Sequence, residues 1–244
     1  MTTVNVTGSK HASTESARDR VMRHALTLFC VHGYHGASMR DIADAYGVRV
    51  SALYNHFKAK EDVLFELLLE STRSLATRLE EAEDLTCSRQ SCRLQAWVEA
   101  HAMWDLENQE ATIMNNHEFR HLPTNLRPPV LELRDKIESD LQALLSAGIA
   151  DDSFKKINEV KLTANAIFAI NRGIADWYDP GGRLTVSQIA SEQANIALHM
   201  VGATPQRRHS GCTLPTDGTE PQDLGRGRVD RRTAQPRKST QSKK

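Results

Sequence analysis

The chain has no apolar run approaching the roughly 18 residues needed to cross a bilayer, so a membrane-embedded protein is not expected. Its opening segment, MTTVNVTGSK, lacks the charged head and apolar middle of a secretory leader, which leaves the cytoplasm as the expected compartment. Only four cysteines occur, Cys30, Cys87, Cys92 and Cys212, and none are spaced as a CxxC redox pair or zinc knuckle; reduced thiols and no cofactor are expected. No stretch alternates apolar and polar residues as a half-buried strand does. Net charge is missing as well, with 31 basic residues balancing 31 acidic ones, which by itself speaks against nucleic acid.

What is present changes that last reading. The charge is segregated: +4 over residues 1–60, −10 over 61–204 and +6 over 205–244. A basic module beside an acidic body suits a small DNA reader joined to a domain with another task. Hydrophobic residues make up 39% of the chain, enough for a buried core. Residues 1–16 are rich in Ser, Thr and Gly and read as a flexible arm, and 205–244 hold too little apolar surface to fold, so they read as a disordered basic tail. Between them the pattern is helical throughout. Breaks at Gly33, Gly47, Pro123, Pro128, Gly148 and Pro180 predict helices over 17–32, 38–46, 49–57, 60–84, 89–107, 109–120, 127–148, 155–178 and 185–202. The fold class is all-α: an N-terminal three-helix helix-turn-helix DNA-binding domain over 17–60, then a C-terminal helical ligand-binding and dimerisation domain over 61–204.

The head carries the sharpest signal. Val21, Ala25, Leu28 and Phe29 form one stripe on a bracing helix. Ser38 and Asp41 make a capping-box start to the next, and Gly47 turns the chain. Val50, Leu53 and Phe57 then face inward, which leaves Arg49, Ser51, Ala52, Asn55 and His56 outward, with Tyr54 at the edge. Small and polar residues on the outer side of the second helix are what a major groove accepts. Asn55 is suited to a base edge, Ser51 to a base or phosphate, and Arg49 to guanine or backbone, and Ser38 and Ala52 belong to the same candidate DNA-binding set.

The stretch Arg20–Leu64, above all DIADAYGVRVSALYNHFKAKEDVL, resembles the TetR family of transcriptional regulators: a Gly-Val turn, a Leu-Tyr-x-x-Phe helix, and a Lys-Glu pair opening the next helix. That resemblance implies that Tyr54, His56 and Lys60 contact phosphates of double-stranded operator DNA. Arg49 departs from the family, which often places a small hydroxyl residue there to cap the helix. The body resembles the regulators of actinobacterial steroid and fatty-acid catabolism, through Gly148-Ile149-Ala150 with Phe154 and through Trp177-Tyr178-Asp179-Pro180-Gly181-Gly182. Such regulators often release DNA on binding an acyl-coenzyme A thioester, which implies a repressor freed from a palindromic operator by a small-molecule effector. Candidate ligand residues are Trp97, His101, Trp104, Asn116, Phe119, Arg120, Asn171, Arg172 and Trp177. The segments around 160–178 and 186–201, each apolar over more than one face, suit a two-fold homodimer.

A motif from a different class also occurs. His117-Glu118-Phe119-Arg120-His121 matches H-E-x-x-H, in which two histidines one helical turn apart bind zinc and the glutamate activates water. The alternative function is therefore a zinc-dependent hydrolase using His117, Glu118 and His121. Pro123 cuts this helix short, and no third ligand is placed by the pattern.

Overall fold

The structure is a computed structural model that describes residues 16–203. The expected arm and the basic tail, with Cys212, fall almost wholly outside those residues. Ten α-helices are described: α1 (Ala17–Gly36), α2 (Met39–Tyr46), α3 (Val50–Leu53), α4 (Lys60–Asp84), α5 (Gln90–Glu107), α6 (Gln109–His117), α7 (Pro128–Ala150), α8 (Val160–Arg172), α9 (Ile174–Trp177) and α10 (Val186–Met200). Short 3-10 turns at Phe119–His121 and Thr124–Leu126 join α6 to α7. No strand is found among the described residues.

In the head, α1 opens on a capping box in which Ser16 and Asp19 satisfy each other's backbone amides. Gly33 then leaves helical space at φ 71°, a conformation that a side chain resists, and so turns the last residues of α1 inward. Tyr34 is thereby buried against Phe29. Ser38 and Asp41 cap α2 as expected, and Gly47, at φ 80°, closes it in the left-handed region. These helices share a core of Val21, Leu26, Phe29, Ile42, Leu53 and Phe57 with Leu64 and Leu68 of α4.

The body is built around α5. Its buried residues, Leu94, Trp97, Val98, His101, Ala102, Trp104, Asp105 and Leu106, leave no open face, so it must be covered all round. It is flanked by α4, α7, α8 and α10. Trp97 packs edge-on to Phe168 of α8, and Leu141 and Leu145 of α7 complete the core with Ala194 and Leu198 of α10.

Three elements differ from the sequence pattern. The helix expected over 49–57 is one α-turn, Val50–Leu53, followed by a hydrogen-bonded turn, and Arg49 gives its start no side-chain cap. The helix expected from 155 begins at Val160: the amides of Lys155 and Lys156 both donate to the carbonyl of Val201 at the end of α10, which holds 155–156 out of helical geometry. That same stretch then breaks at Gly173 into α8 and α9. Finally, the helix expected over 109–120 ends at His117 and tightens into the 3-10 turn.

Candidate nucleic-acid interface and effector cavity

On the head, Arg49, Ser51, Tyr54, Asn55 and His56 are all exposed, and Ala52 is half-buried beside them. Tyr54 keeps 51% of its surface open despite its size. None of the five exposed side chains has a hydrogen bond or ion pair within the described residues, so they form a ridge of unused donors and acceptors supported from below by Leu53 and Phe57. Ser38 is spent on its own helix, its Oγ lying 2.6 Å from Asp41 Oδ2, while its edge stays exposed.

Lys60, expected at a phosphate seat, is engaged inside the head. Its ammonium points back into the head and donates to the carbonyls of Tyr34 and Ala37, at 2.7 and 2.8 Å, with the Tyr34 ring centroid 4.1 Å away. Those carbonyls follow the Gly33 bend and have no helical partners, so a half-buried cation is the physical answer. The start of α4 is instead capped by Asp62, which accepts from the amides of Lys58 and Ala59, both at 3.0 Å. Lys60 acts as a clamp on the α1–α2 joint.

The body holds a cavity of about 680 Å³ between α4, α5, α6, α7 and α8. Of the residues predicted from sequence, His101, Trp104, Asn116, Phe119, Arg120 and Arg172 line it. Trp97 does not, because it is buried in the core between His101 and Phe168. Asn171 is fully buried beside that wall without lining the cavity. Trp177 is 59% exposed at the end of α9, which is too short to turn it inward. These three of the predicted set stand outside the cavity lining.

Sequence reasoning missed Asp105, Thr112, Asn115, Arg134 and Phe168, which also line the cavity. One signal was available: Asp105 follows His101 by four residues, which puts a polar pair on one face of α5 among Trp97, Trp104 and Leu106. Arg134 stands at 4.0 Å over the Phe119 ring and donates to Asn115 Oδ1 at 3.1 Å. Burial, and then its neighbour Arg172, pushes the Arg134 guanidinium down to about 10. The rim thus carries the cations of Arg120, Arg134 and Arg172, interspersed with Asp135, Glu138 and Asp176.

Deeper in, burial dominates the ionisation. Asp105 is pushed up to about 8 by loss of water, opposed by the Thr112 hydrogen bond and by Arg172. His101 is pushed down to about 3 by burial and then by Arg172. Both neutral forms are therefore favoured. Between 3.8 and 6.5, their ordinary values, the two groups tilt stability in opposite directions. From about 6.5 to 8 only Asp105 still titrates: the folded chain keeps a proton that the unfolded chain has lost, so stability falls as pH rises. Glu110, pushed up to about 7 by burial, adds to that slope until it too is ionised. Asp105→Asn should flatten the decline in melting temperature between about pH 7 and 8. Thermal unfolding across that range checks this, and an unchanged decline in the variant would mean that Asp105 ionises in the fold as it does in water.

Helix α6 joins the two regions. Thr112, Asn115 and Asn116 face the cavity, while Glu110 accepts from Thr27 Oγ1 of α1 at 3.2 Å and the Glu110 carbonyl from the Cys30 thiol at 3.1 Å. Just beyond, Glu118 Oε2 accepts from the Tyr34 amide at 3.1 Å, and His121 Nδ1 lies 3.0 Å from His35 Nε2.

These partners also settle the H-E-x-x-H motif. With the α-helix ending at His117, His121 is not one α-turn further along the same face. His117 pairs with Asp176 at 3.4 Å, Glu118 holds the Tyr34 amide, and His121 meets His35. No group of three potential ligands suited to a metal ion is present among the described residues. The zinc-hydrolase alternative is set aside.

Comparison with known proteins agrees. Residues 21–67 match the bacterial regulatory proteins, tetR family, and residues 88–201 match the tetracyclin repressor-like, C-terminal domain. The HTH-type transcriptional repressor KstR2 of Rhodococcus jostii (strain RHA1) is 30% identical over 186 residues, which span 74% of this chain and 89% of that protein. The chain belongs to the TetR family. It is a transcriptional regulator, not an enzyme. The structure of the ketosteroid transcriptional regulator KstR2 of Mycobacterium tuberculosis superposes with a TM-score of 0.70 at 25% identity, covering 80% of this TetR chain and 98% of that one. AibR in complex with isovaleryl coenzyme A and operator DNA shares the TetR fold at a TM-score of 0.67 and 24% identity, covering 73% and 97%. No helix among the described residues is long and apolar enough to cross a membrane.

Proposed function

We propose that this TetR-family regulator is a cytoplasmic repressor that binds a palindromic operator as a homodimer and releases it when an acyl-coenzyme A thioester enters the body. Residues 17–60 read DNA, and 61–204 bind the effector and dimerise. The observation that carries the effector class is the two-part cavity. Its lining joins an apolar, aromatic part, Leu75, Trp104, Ile137 and Phe168, interrupted by the buried polar side chains of His101, Asp105 and Thr112, to a charged part that carries Arg120, Arg134 and Arg172 among Asp135, Glu138 and Asp176. An acyl thioester has that same division, a hydrocarbon arm joined to a phosphate-rich carrier, and guanidinium groups are the side chains best shaped for phosphate. Names of the relatives, a ketosteroid regulator among them, point to the same lipid-derived class.

On the head, Arg49, Ser51, Ala52, Tyr54, Asn55 and His56 supply the DNA contacts, with Ser38 setting the start of α2 beside them. The dimer reading draws on Leu162 of α8 and Ile196 of α10, exposed apolar residues on the two helices that sequence pairs into an interface. Two such heads would protect half-sites one helical turn or a multiple apart. An effector shifts this equilibrium only through tighter binding to the form that is off DNA.

Footprinting on the region upstream of its own gene, repeated with medium-chain, long-chain and steroid-derived acyl-coenzyme A thioesters, tests the reading. The expected result is a protected palindrome that each fitting thioester erases. Protection that survives every thioester would discard the effector class, and the absence of a palindromic footprint at any promoter near the gene would discard the operator.

A further inference from the structure

Within reach of the Arg172 charge, the cavity wall holds hydrogen-bonding groups that the fold does not use. Asp105 is 2% exposed and His101 is 3% exposed, four residues apart on α5, and both line the cavity. Asp105 Oδ1 accepts from Thr112 Oγ1 at 3.1 Å. Its Oδ2 has no hydrogen-bond partner, and the His101 Nε2 atom stands off at 3.5 Å. His101 Nδ1 is unpartnered too, its ring enclosed by the edges of Trp97 and Phe168. Buried polar atoms are nearly always paired, so two unpaired ones in one wall of one cavity call for a partner that is not protein. A cavity meant only for hydrocarbon would be lined there by leucine or phenylalanine.

We propose that Asp105 and His101 form a seat for a neutral oxygen, a ketone or hydroxyl, on the acyl group at the end remote from the thioester. The regulator then answers to oxygenated acyl thioesters and discriminates against plain hydrocarbon ones. The inference rests on the acyl-thioester reading above. A carboxyl kept protonated by burial donates its O–H to a ketone instead of repelling the oxygen lone pairs. A ligand hydroxyl can accept the same proton and donate its own to an imidazole nitrogen. Thr112 fixes the carboxyl from behind, so the free oxygen is already oriented before the ligand arrives. Sites built to hydrogen-bond a ligand group reject the analogue lacking it, because the site's own groups are then left unpaired.

The test is calorimetric titration of the full chain with a matched pair: a saturated medium-chain acyl-coenzyme A and the same chain bearing a ketone one carbon from its end. The wild type should bind the ketone about 10- to 100-fold more tightly. Asp105→Leu should erase that preference while keeping the saturated ligand, and Asp105→Asn, which retains a donor, should keep most of it. Equal binding of the pair by the wild type, or a preference that survives Asp105→Leu, overturns the seat and leaves the thioester reading standing. Failure to bind either thioester overturns that reading, and the seat with it.

Discussion

Replacing Tyr54, Asn55 and His56 together by alanine should weaken operator binding by about 10³-fold or more at constant salt. Base and phosphate contacts of this kind contribute about 1–3 kcal/mol each, and the combined loss of about 4 kcal/mol converts to that factor. All three side chains are exposed and bond to nothing else among the described residues, so the fold should not feel their removal. Circular dichroism and melting temperature should stay within experimental error of the wild type, which separates a reading defect from a folding one. Arg49→Ala makes a finer test: if it meets phosphate, the dependence of affinity on salt becomes shallower by about one counterion per head, whereas loss of discrimination at one base pair assigns it to guanine. Undiminished binding by the triple variant, measured by fluorescence anisotropy on a labelled operator, would move the interface off α3.

Gly148→Leu should cost about 3 kcal/mol of stability, at the upper end of what overpacking does to a core. A Cβ at this position would lie 2.1 Å from the Phe154 ring, and that ring is 4% exposed, so it has nowhere to go. The Phe154 amide also donates to the Gly148 carbonyl at 2.9 Å, tying the ring's backbone to the same turn of α7. A domain of this size loses about 2–4 °C per kcal/mol, so a drop of about 6–12 °C in melting temperature is expected. Phe154→Ala should be costly by itself, about 3–5 kcal/mol. In the double variant the new side chain occupies the vacated space, and the combined loss should fall well short of the sum. Additive losses would show that the two residues do not meet.

That contact explains why Gly148 and Phe154 stand out together in the sequence, although sequence alone could not say what they do. Helix positions in the head were legible because each carries its own punctuation: Ser38 with Asp41 at one end of α2 and Gly47 at the other, then Leu53 and Phe57 one helical turn apart. The cavity was legible only in part. His101, Trp104 and Arg172 can be guessed by residue type, but whether an aromatic lines a cavity or fills a core depends on which neighbour covers it, and Trp97 and Phe168 exchange the roles that type alone would assign. The inward contacts of Lys60 were hidden for a related reason. Its place at a helix start suits a phosphate, and nothing local reveals that the bend at Gly33 brings two unpaired carbonyls, from residues far earlier in the chain, within its reach. The H-E-x-x-H spacing likewise presumes an unbroken α-helix, and the chain tightens at Glu118.

The nine residues of α6 span only about 13 Å, at about 1.5 Å per residue. So short a rod, anchored to the head by Glu110 near its start and by Glu118 and His121 just past its end, has no free length in which to flex. Asn115 and Thr112, which face the cavity, therefore sit on the same rod that bonds the head. Cavity wall and head contact are thus two faces of one short element, so neither can be reshaped without the other.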